Sequence, residues 1–320
     1  SEFDKKERFK IIRTRKKVSS RLAFLLLLKR ERIKKILVGH GSHYIRLAFL
    51  ANFLLKIPYC IVIHGTEILL PERQRSIQKT FSKAAKIIAV SNFIKKLLVQ
   101  IRIPEGKVVV NFNGVDPVKF NPGIDSSKVR EKYDLAGKKV ILTISRLARY
   151  KGQHRVLEAL PQALKKVPDL VYLIIGAGEE EKYLRKIARD LGLERKVIFI
   201  DEVAHNEAPL YYAACDVFVL PSNLEPFGIA YLEANACGKP VIGGNNGGSL
   251  DAVIDGETGL LVDPFSTDQI ANALVELLTN PELAQRLGNR GRERIEKELN
   301  WEKTVKRIKE IIYQGESKNN

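Results

Sequence analysis

The sequence predicts an α/β protein made of two parallel-sheet domains that face each other across a cleft. Three observations lead there. Short β-branched runs alternate with longer amphipathic stretches along nearly the whole chain, the pattern of strands crossing through helices to parallel strands. At 320 residues, the chain is longer than one core ordinarily organises. Turn formers concentrate at Asp116-Pro117 and Asn121-Pro122-Gly123, which sets a seam over 114–127. The expected units are 1–122, 123–300, and a C-terminal helix and tail, 301–320, returning toward the first domain.

The elements follow in order. Buried strands are expected at 36–38, 60–63, 87–90 and 108–110, with helices over 44–55 and 92–101. Beyond the seam, strands are expected at 140–144, 170–175, 196–200, 217–220 and 241–242. Helices near 154–166, 180–191, 208–214 and 230–237 separate them. Parallel sheets take ligands beyond the carboxyl ends of their strands, so the chemistry is sought in the loops that follow strands.

Composition narrows the classes. The net charge is +17, and it is unevenly placed: residues 1–120 hold 26 Lys and Arg against 8 acidic residues, whereas 121–320 hold 28 against 29. The first third is expected to face something anionic, either a membrane leaflet, a phosphorylated lipid or nucleic acid, unless it is an idle basic surface. Nucleic acid is set aside, because no aromatic stacking pattern or zinc finger accompanies the charge. Arg13, Arg15, Lys16, Lys17 and Arg21 stand beside the apolar run 22–28, which reads as an interfacial segment or as a core helix under a basic rim. Seven apolar residues cannot cross a bilayer, which takes about 20. Cys60, Cys215 and Cys237 form no Cys-x-x-Cys pair and fit small buried groups in a reducing compartment, so a cytoplasmic protein, peripheral on the membrane's inner face, is expected.

Five loops carry candidate chemistry. After the strand at 217–220 comes Pro221-Ser222-Asn223-Leu224-Glu225-Pro226-Phe227-Gly228, then a helix containing Glu233. Carboxylates at Glu225 and Glu233, around amides of Phe227, Gly228 and Ile229 at a helix start, suit a ligand rich in hydroxyls and carrying phosphate. The alternative is a pair of glutamates on a solvated helix edge. Arg146 and Lys151 follow the strand at 140–144 and would neutralise a diphosphate, or be surface basicity. Gly176-Ala177-Gly178 is a weak signal that ordinarily only opens a tight turn. His64 ends an apolar strand and would meet a ligand held by the other domain, or be a satisfied structural histidine. Gly243-Gly244-Asn245-Asn246-Gly247-Gly248 demands close backbone approach to something. No P-loop, Asp-x-Asp, Cys/His cluster or Gly-x-Ser-x-Gly elbow occurs, so no cofactor or metal is called for.

In this order the motifs resemble family 4 of the glycosyltransferases with the GT-B fold, two Rossmann-like domains facing a cleft. Glu225 and Glu233 match its paired-glutamate signature, and Arg146 and Lys151 its basic strand-end motif. His64-Gly65 match its first-domain motif, and Asn113-Gly114-Val115-Asp116 its hinge. Gly247-Gly248 and the run 255–262 also match. The resemblance implies a retaining, metal-independent transfer of a hexose from a UDP-sugar or GDP-mannose. Arg146 and Lys151 would hold the diphosphate, Glu225 and the three amides the sugar, Glu233 the ribose, and His64 the sugar from across the cleft. Two departures are visible. The chain enters the first domain at a later strand, 10–15, so that domain reads as truncated. The turn bordering the nucleobase carries Asp201-Glu202-Val203 where the family has a glycine, leaving the base open. The acceptor is expected to be lipid-linked or at a membrane surface. Transfer to a small metabolite or polysaccharide, or a nucleotide-sugar-binding module with impaired catalysis, are the alternatives.

Overall fold

The computed structural model describes residues 19–313, except 40, 66, 67, 69 and 70. Two all-parallel sheets organise it. The first runs in chain order: β1 (Ile36–Val38), β2 (Tyr59–Ile63), β3 (Lys86–Ala89) and β4 (Val108–Val110). Its helices are α1 (Ser19–Arg30), α2 (Ser42–Leu55), α3 (Pro71–Ser82) and α4 (Asn92–Gln100). Strand β2 is buried at every position, as expected of a continuous apolar run with helices on both faces.

After α5 (Ser127–Lys132) come β5 (Lys139–Ile144), α6 (Gln153–Leu164), β6 (Leu170–Ile175), α7 (Glu181–Asp190) and β7 (Val197–Ile200). Then follow α8 (Ala208–Ala214), β8 (Val217–Leu220), α9 (Ile229–Ala236), β9 (Val241–Gly244), α10 (Ser249–Ala252) and β10 (Gly259–Val262). The second sheet has the order β10-β9-β8-β5-β6-β7. Strand β10 is an element the alternation did not announce, and β9 runs two residues past its expected end, through Gly243 and Gly244.

Helices α11 (Thr267–Thr279), α12 (Pro281–Lys297) and α13 (Trp301–Tyr313) close the chain. The last of these crosses to the first sheet. Val115 N donates to Leu299 O at 2.9 Å, Thr304 Oγ1 to Phe112 O at 3.1 Å, and Lys35 Nζ to Ile312 O at 2.7 Å. Arg292 Nη1 donates to the carbonyls of Pro117, Phe120 and Ala236 at 2.8–2.9 Å, riveting the interdomain connection to the second domain. One core fills one face of the second sheet, around Ile141, Tyr172, Val219 and Leu274. The opposite core is continuous with the first domain through Val115, Phe120 and Phe227. All three cysteines are free and buried, and burial pushes the Cys215 and Cys237 thiols up to about 12.

Helix α1 is not a core helix along its whole apolar run. Leu28 is buried, but Leu22 and Leu26 are 66% and 58% exposed, and Arg21 beside them is exposed as well. Arg13, Arg15, Lys16 and Lys17 lie outside the described residues, as does the expected strand at 10–15. No described helix is long and apolar enough to cross a membrane.

Candidate functional site

The order of the second sheet reverses between β5 and β8, the place where parallel sheets open a crevice for ligands. The loops leaving these two strands close on each other because glycine permits it. Gly152 ends a short 3₁₀ turn, Arg149–Lys151, at φ +81°, and a side chain there would overlap the Pro221 carbonyl. The Tyr150 carbonyl accepts from Ser222 Oγ and Asn223 N, both at 2.9 Å, and buried Gln153 holds Ser145 Oγ at 2.9 Å. These contacts set Lys151 Nζ 2.7 Å from Glu225 Oε2, with the two side chains only 15% and 8% exposed. Burial this deep makes the pair mutually dependent, since either charge alone would be poorly solvated.

Past Glu225 the chain turns through Gly228, at φ +102°, into α9. No side chain caps the helix there, and the amides of Phe227, Gly228 and Ile229 find no acceptor among the described residues. Three donors at the positive end of a helix are thus free for an anionic or hydroxyl-bearing ligand. His64 reaches the same cavity from the loop after β2. Its Nε2 lies 3.0 Å from the Gly39 carbonyl, which can only accept, so Nε2 carries the proton. His64, Arg146, Lys151, Glu225, Phe227, Gly228 and Ile229 together line one cavity of about 400 Å³. Thr66 and Glu67 of the His-Gly motif lie outside the described residues.

A second cavity, of about 570 Å³, shares Ile144, Ser145 and Arg146 with the first and continues past Ile175 and Gly176 to Glu202 and Val203. Arg146 stands at the junction, joined to Glu179 at 3.0 Å with both side chains more than half exposed. So exposed a pair contributes little to stability and holds Arg146 only weakly.

Glu233 lines neither cavity. Tyr212 Oη donates to its Oε2 at 2.8 Å, and His205 Nδ1 stands 3.9 Å from its Oε1. Its side chain is only 13% exposed, and burial holds the carboxyl above the usual range, against the opposing pulls of Tyr212 and Lys119. Hydroxyl donors from a ligand would relieve that cost. Neither glutamate therefore sits on a solvated helix edge.

Two glycine signals belong to the protein rather than to a ligand. A Cβ on Gly176 or Gly178 would overlap the carbonyls of Ser145 and Leu147, so these glycines seat β6 against the Arg146 loop. Gly247 and Gly248 lie on the backbone of Glu225 and Pro226, and Gly248 N donates to Glu225 O at 2.7 Å. The first domain touches this same loop. Ser91 Oγ donates to Pro226 O at 2.6 Å, a Cβ on Gly65 would fall 2.7 Å from Pro226 Cβ, and Phe112 stacks on Phe227 at 5.5 Å. Asp251 adds a latch, its two carboxylate oxygens accepting from Asn92 N and Nδ2 at 2.7 and 2.6 Å. Sequence reasoning missed Asp251, Tyr212 and the docking role of Pro226, none of which has a local pattern. Glu202 was visible only as a departure from an expected glycine. Among the described residues no three His, Cys, Asp or Glu side chains form a metal-binding group.

The family described as Glycosyl transferases group 1 matches residues 125–294, more than half of the chain. The chain belongs to this glycosyltransferase family. Glycosyltransferase Family 4 matches residues 3–119 of the same chain. The glycosyltransferase is 32% identical over 260 residues to the GDP-mannose-dependent alpha-(1-6)-phosphatidylinositol monomannoside mannosyltransferase of Mycolicibacterium smegmatis, covering 78% of this chain and 68% of that one. It is 31% identical to a GDP-mannose-dependent monoacylated alpha-(1-6)-phosphatidylinositol monomannoside mannosyltransferase of Corynebacterium glutamicum, with the same coverage. Among solved structures, Anabaena HepE in complex with UDP superposes with a TM-score of 0.82 at 25% identity, over 91% of this chain and 80% of that one. The glycosyltransferase thus has the GT-B arrangement of two parallel-sheet domains.

Proposed function

We propose that this glycosyltransferase moves a hexose from a nucleoside diphosphate sugar to a lipid-linked acceptor, with retention of anomeric configuration and without a metal. The observation that carries the reading is the convergence of His64, Arg146, Lys151, Glu225 and three amides with no acceptor among the described residues on one cavity at the reversal of strand order. Cations and amides suit a diphosphate that gains charge as it leaves, and they act without reorganising. Glu225 and His64 suit sugar hydroxyls. In the step itself the bond from the sugar's anomeric carbon to the phosphate oxygen breaks, and the acceptor oxygen bonds to that carbon on the same face. The acceptor's proton passes to the departing phosphate oxygen, which dispenses with a protein base. Glu233, with one oxygen held by Tyr212, suits the ribose diol.

The acceptor assignment draws on the two relatives above, which are phosphatidylinositol monomannoside mannosyltransferases. It also draws on apolar side chains left exposed in the basic first domain, Leu22 and Leu26 on α1 and Tyr44, Phe53 and Leu54 on α2. The test combines a panel of nucleoside diphosphate hexoses with phosphatidylinositol monomannoside in acidic vesicles. The expected product keeps the donor's anomeric configuration by proton NMR, its rate survives a chelator, and its rate falls as salt screens the surface. An inverted product, or strict metal dependence, would overturn the mechanism.

The two glutamates are expected to divide the donor between them. Glu233→Ala weakens binding of the bare nucleoside diphosphate, about tenfold for lost charge-assisted hydrogen bonds. Glu225→Ala weakens only the sugar-bearing donor, because it frees Lys151 for the diphosphate. Calorimetric titration of both variants with both ligands decides, and equal losses on both ligands would sink the division.

A further inference from the structure

We infer that Glu202 reads the nucleobase and selects guanine, an assignment that rests on the donor-site reading above. Three observations bear on it. Glu202 lines the second cavity, beside Val203 and across from Arg146. Its carboxylate is exposed and takes part in no hydrogen bond or ion pair among the described residues, so its acceptors are unspent. Arg146 follows β5 and Glu202 follows β7, two strands away in the sheet, a separation of about 10 Å at the spacing of neighbouring strands. That span suits a nucleotide whose phosphates meet Arg146 and whose base lies over Ile144, Ile175 and Val203.

The chemistry of the base edges then decides. An ionised carboxylate has two acceptor oxygens and no donor. Guanine is the one common base whose pairing edge offers two adjacent donors, N1–H and the N2 amino group, which match the two oxygens. Uracil offers N3–H between two carbonyls, so a carboxylate that accepts that proton faces oxygen lone pairs on either side. Adenine and cytosine each offer an amino group next to a ring acceptor. A free carboxylate at this end of the cavity therefore attracts guanine and repels uracil, and the discrimination includes a repulsive element as well as an attractive one.

The experiment is calorimetric titration of the full chain with GDP, UDP and inosine diphosphate, which is guanine's analogue without the N2 amino group. Wild-type protein is expected to bind GDP about tenfold or more tightly than either of the others. Glu202→Ala is expected to remove most of that preference by weakening GDP while leaving UDP within about twofold, because the carboxylate supports no other described contact. Unchanged melting temperature would show that the variant remains folded. A GDP preference that survives Glu202→Ala, or a wild-type preference for UDP, would overturn the assignment alone and show Glu202 to be a solvated loop residue. Failure of all three nucleotides to bind the wild-type chain would overturn the donor-site reading and this inference with it.

Discussion

Lys151→Ala is expected to lower turnover by about two to three orders of magnitude, with a much smaller effect on donor affinity. In the proposed reaction, charge on the diphosphate grows as its bond to the sugar breaks, so a cation beside it would act mainly in the transition state. The ion pair adds a second consequence. Lys151 Nζ lies 2.7 Å from Glu225 Oε2 in a setting where neither side chain is appreciably exposed. Removing the lysine leaves a buried carboxylate without its cation, a loss of about 3 kcal/mol of stability. Lys151→Ala should therefore melt well below the parent protein, and adding Glu225→Gln should restore the melting temperature without restoring turnover. Steady-state kinetics and thermal melts on the two variants separate the effects. Undiminished turnover in Lys151→Ala would remove the residue from the mechanism.

Gly248→Ala is expected to be nearly as damaging, though no ligand contact is assigned to Gly248. Its φ of −79° is open to any residue, so backbone strain has no part in the effect. The damage comes from position: a Cβ there would overlap the Pro226 carbonyl oxygen and come within 2.6 Å of Phe227 Cα. Backbone cannot step aside as a flexible side chain can, so the Glu225–Phe227 segment must shift, at a cost of about 1–3 kcal/mol. Displaced, the segment loses its hold on Lys151 and misdirects the amides of Gly228 and Ile229, and turnover should fall at least about a hundredfold. Gly256→Ala serves as the control. It has φ +70° with open space around the Cβ, so it should cost about 1 kcal/mol of stability and leave turnover intact. Equal turnover in the two variants would refute the steric account.

Features of this chain that rest on short-range contacts were legible in the sequence, and those that rest on long-range contacts were not. The alternation of strands and helices was legible because it rests on local periodicity, and both parallel sheets follow from it. The loops carrying Arg146, Lys151, Glu225 and His64 were legible because each leaves the carboxyl end of a strand, and the fold gathers such ends. What these residues do to one another was not legible. Lys151 and Glu225 are 74 positions apart, and only the closure of two loops over Gly152 brings their charges together. Asn92 and Asp251 are 159 apart, and neither stands in a recognisable pattern. The glycine run at 243–248 was legible only in part, for the same reason. Their density at 243–248 announced a close approach, but the partner is the protein's own backbone at Glu225 and Pro226, information that no local window holds. On α1, an apolar run was legible as such, while its division into buried Leu28 and exposed Leu22 and Leu26 depends on neighbours far along the chain.

Pro226, between Glu225 and Phe227, is the point where both domains bear on the same short segment. The second domain supports it from below through Gly247 and Gly248, and the first domain presses from above through Gly65, Ser91 and Phe112. On the donor-site reading this joint works as an interlock. Arg146, Lys151 and Glu225 all belong to the second domain and His64 to the first, so docking at Pro226 is what completes the cavity. Any change that undid the docking would withdraw His64 and take from the segment carrying Glu225 half of its buttress. On that reading, cleavage of the sugar phosphate requires the two halves to be docked at this segment.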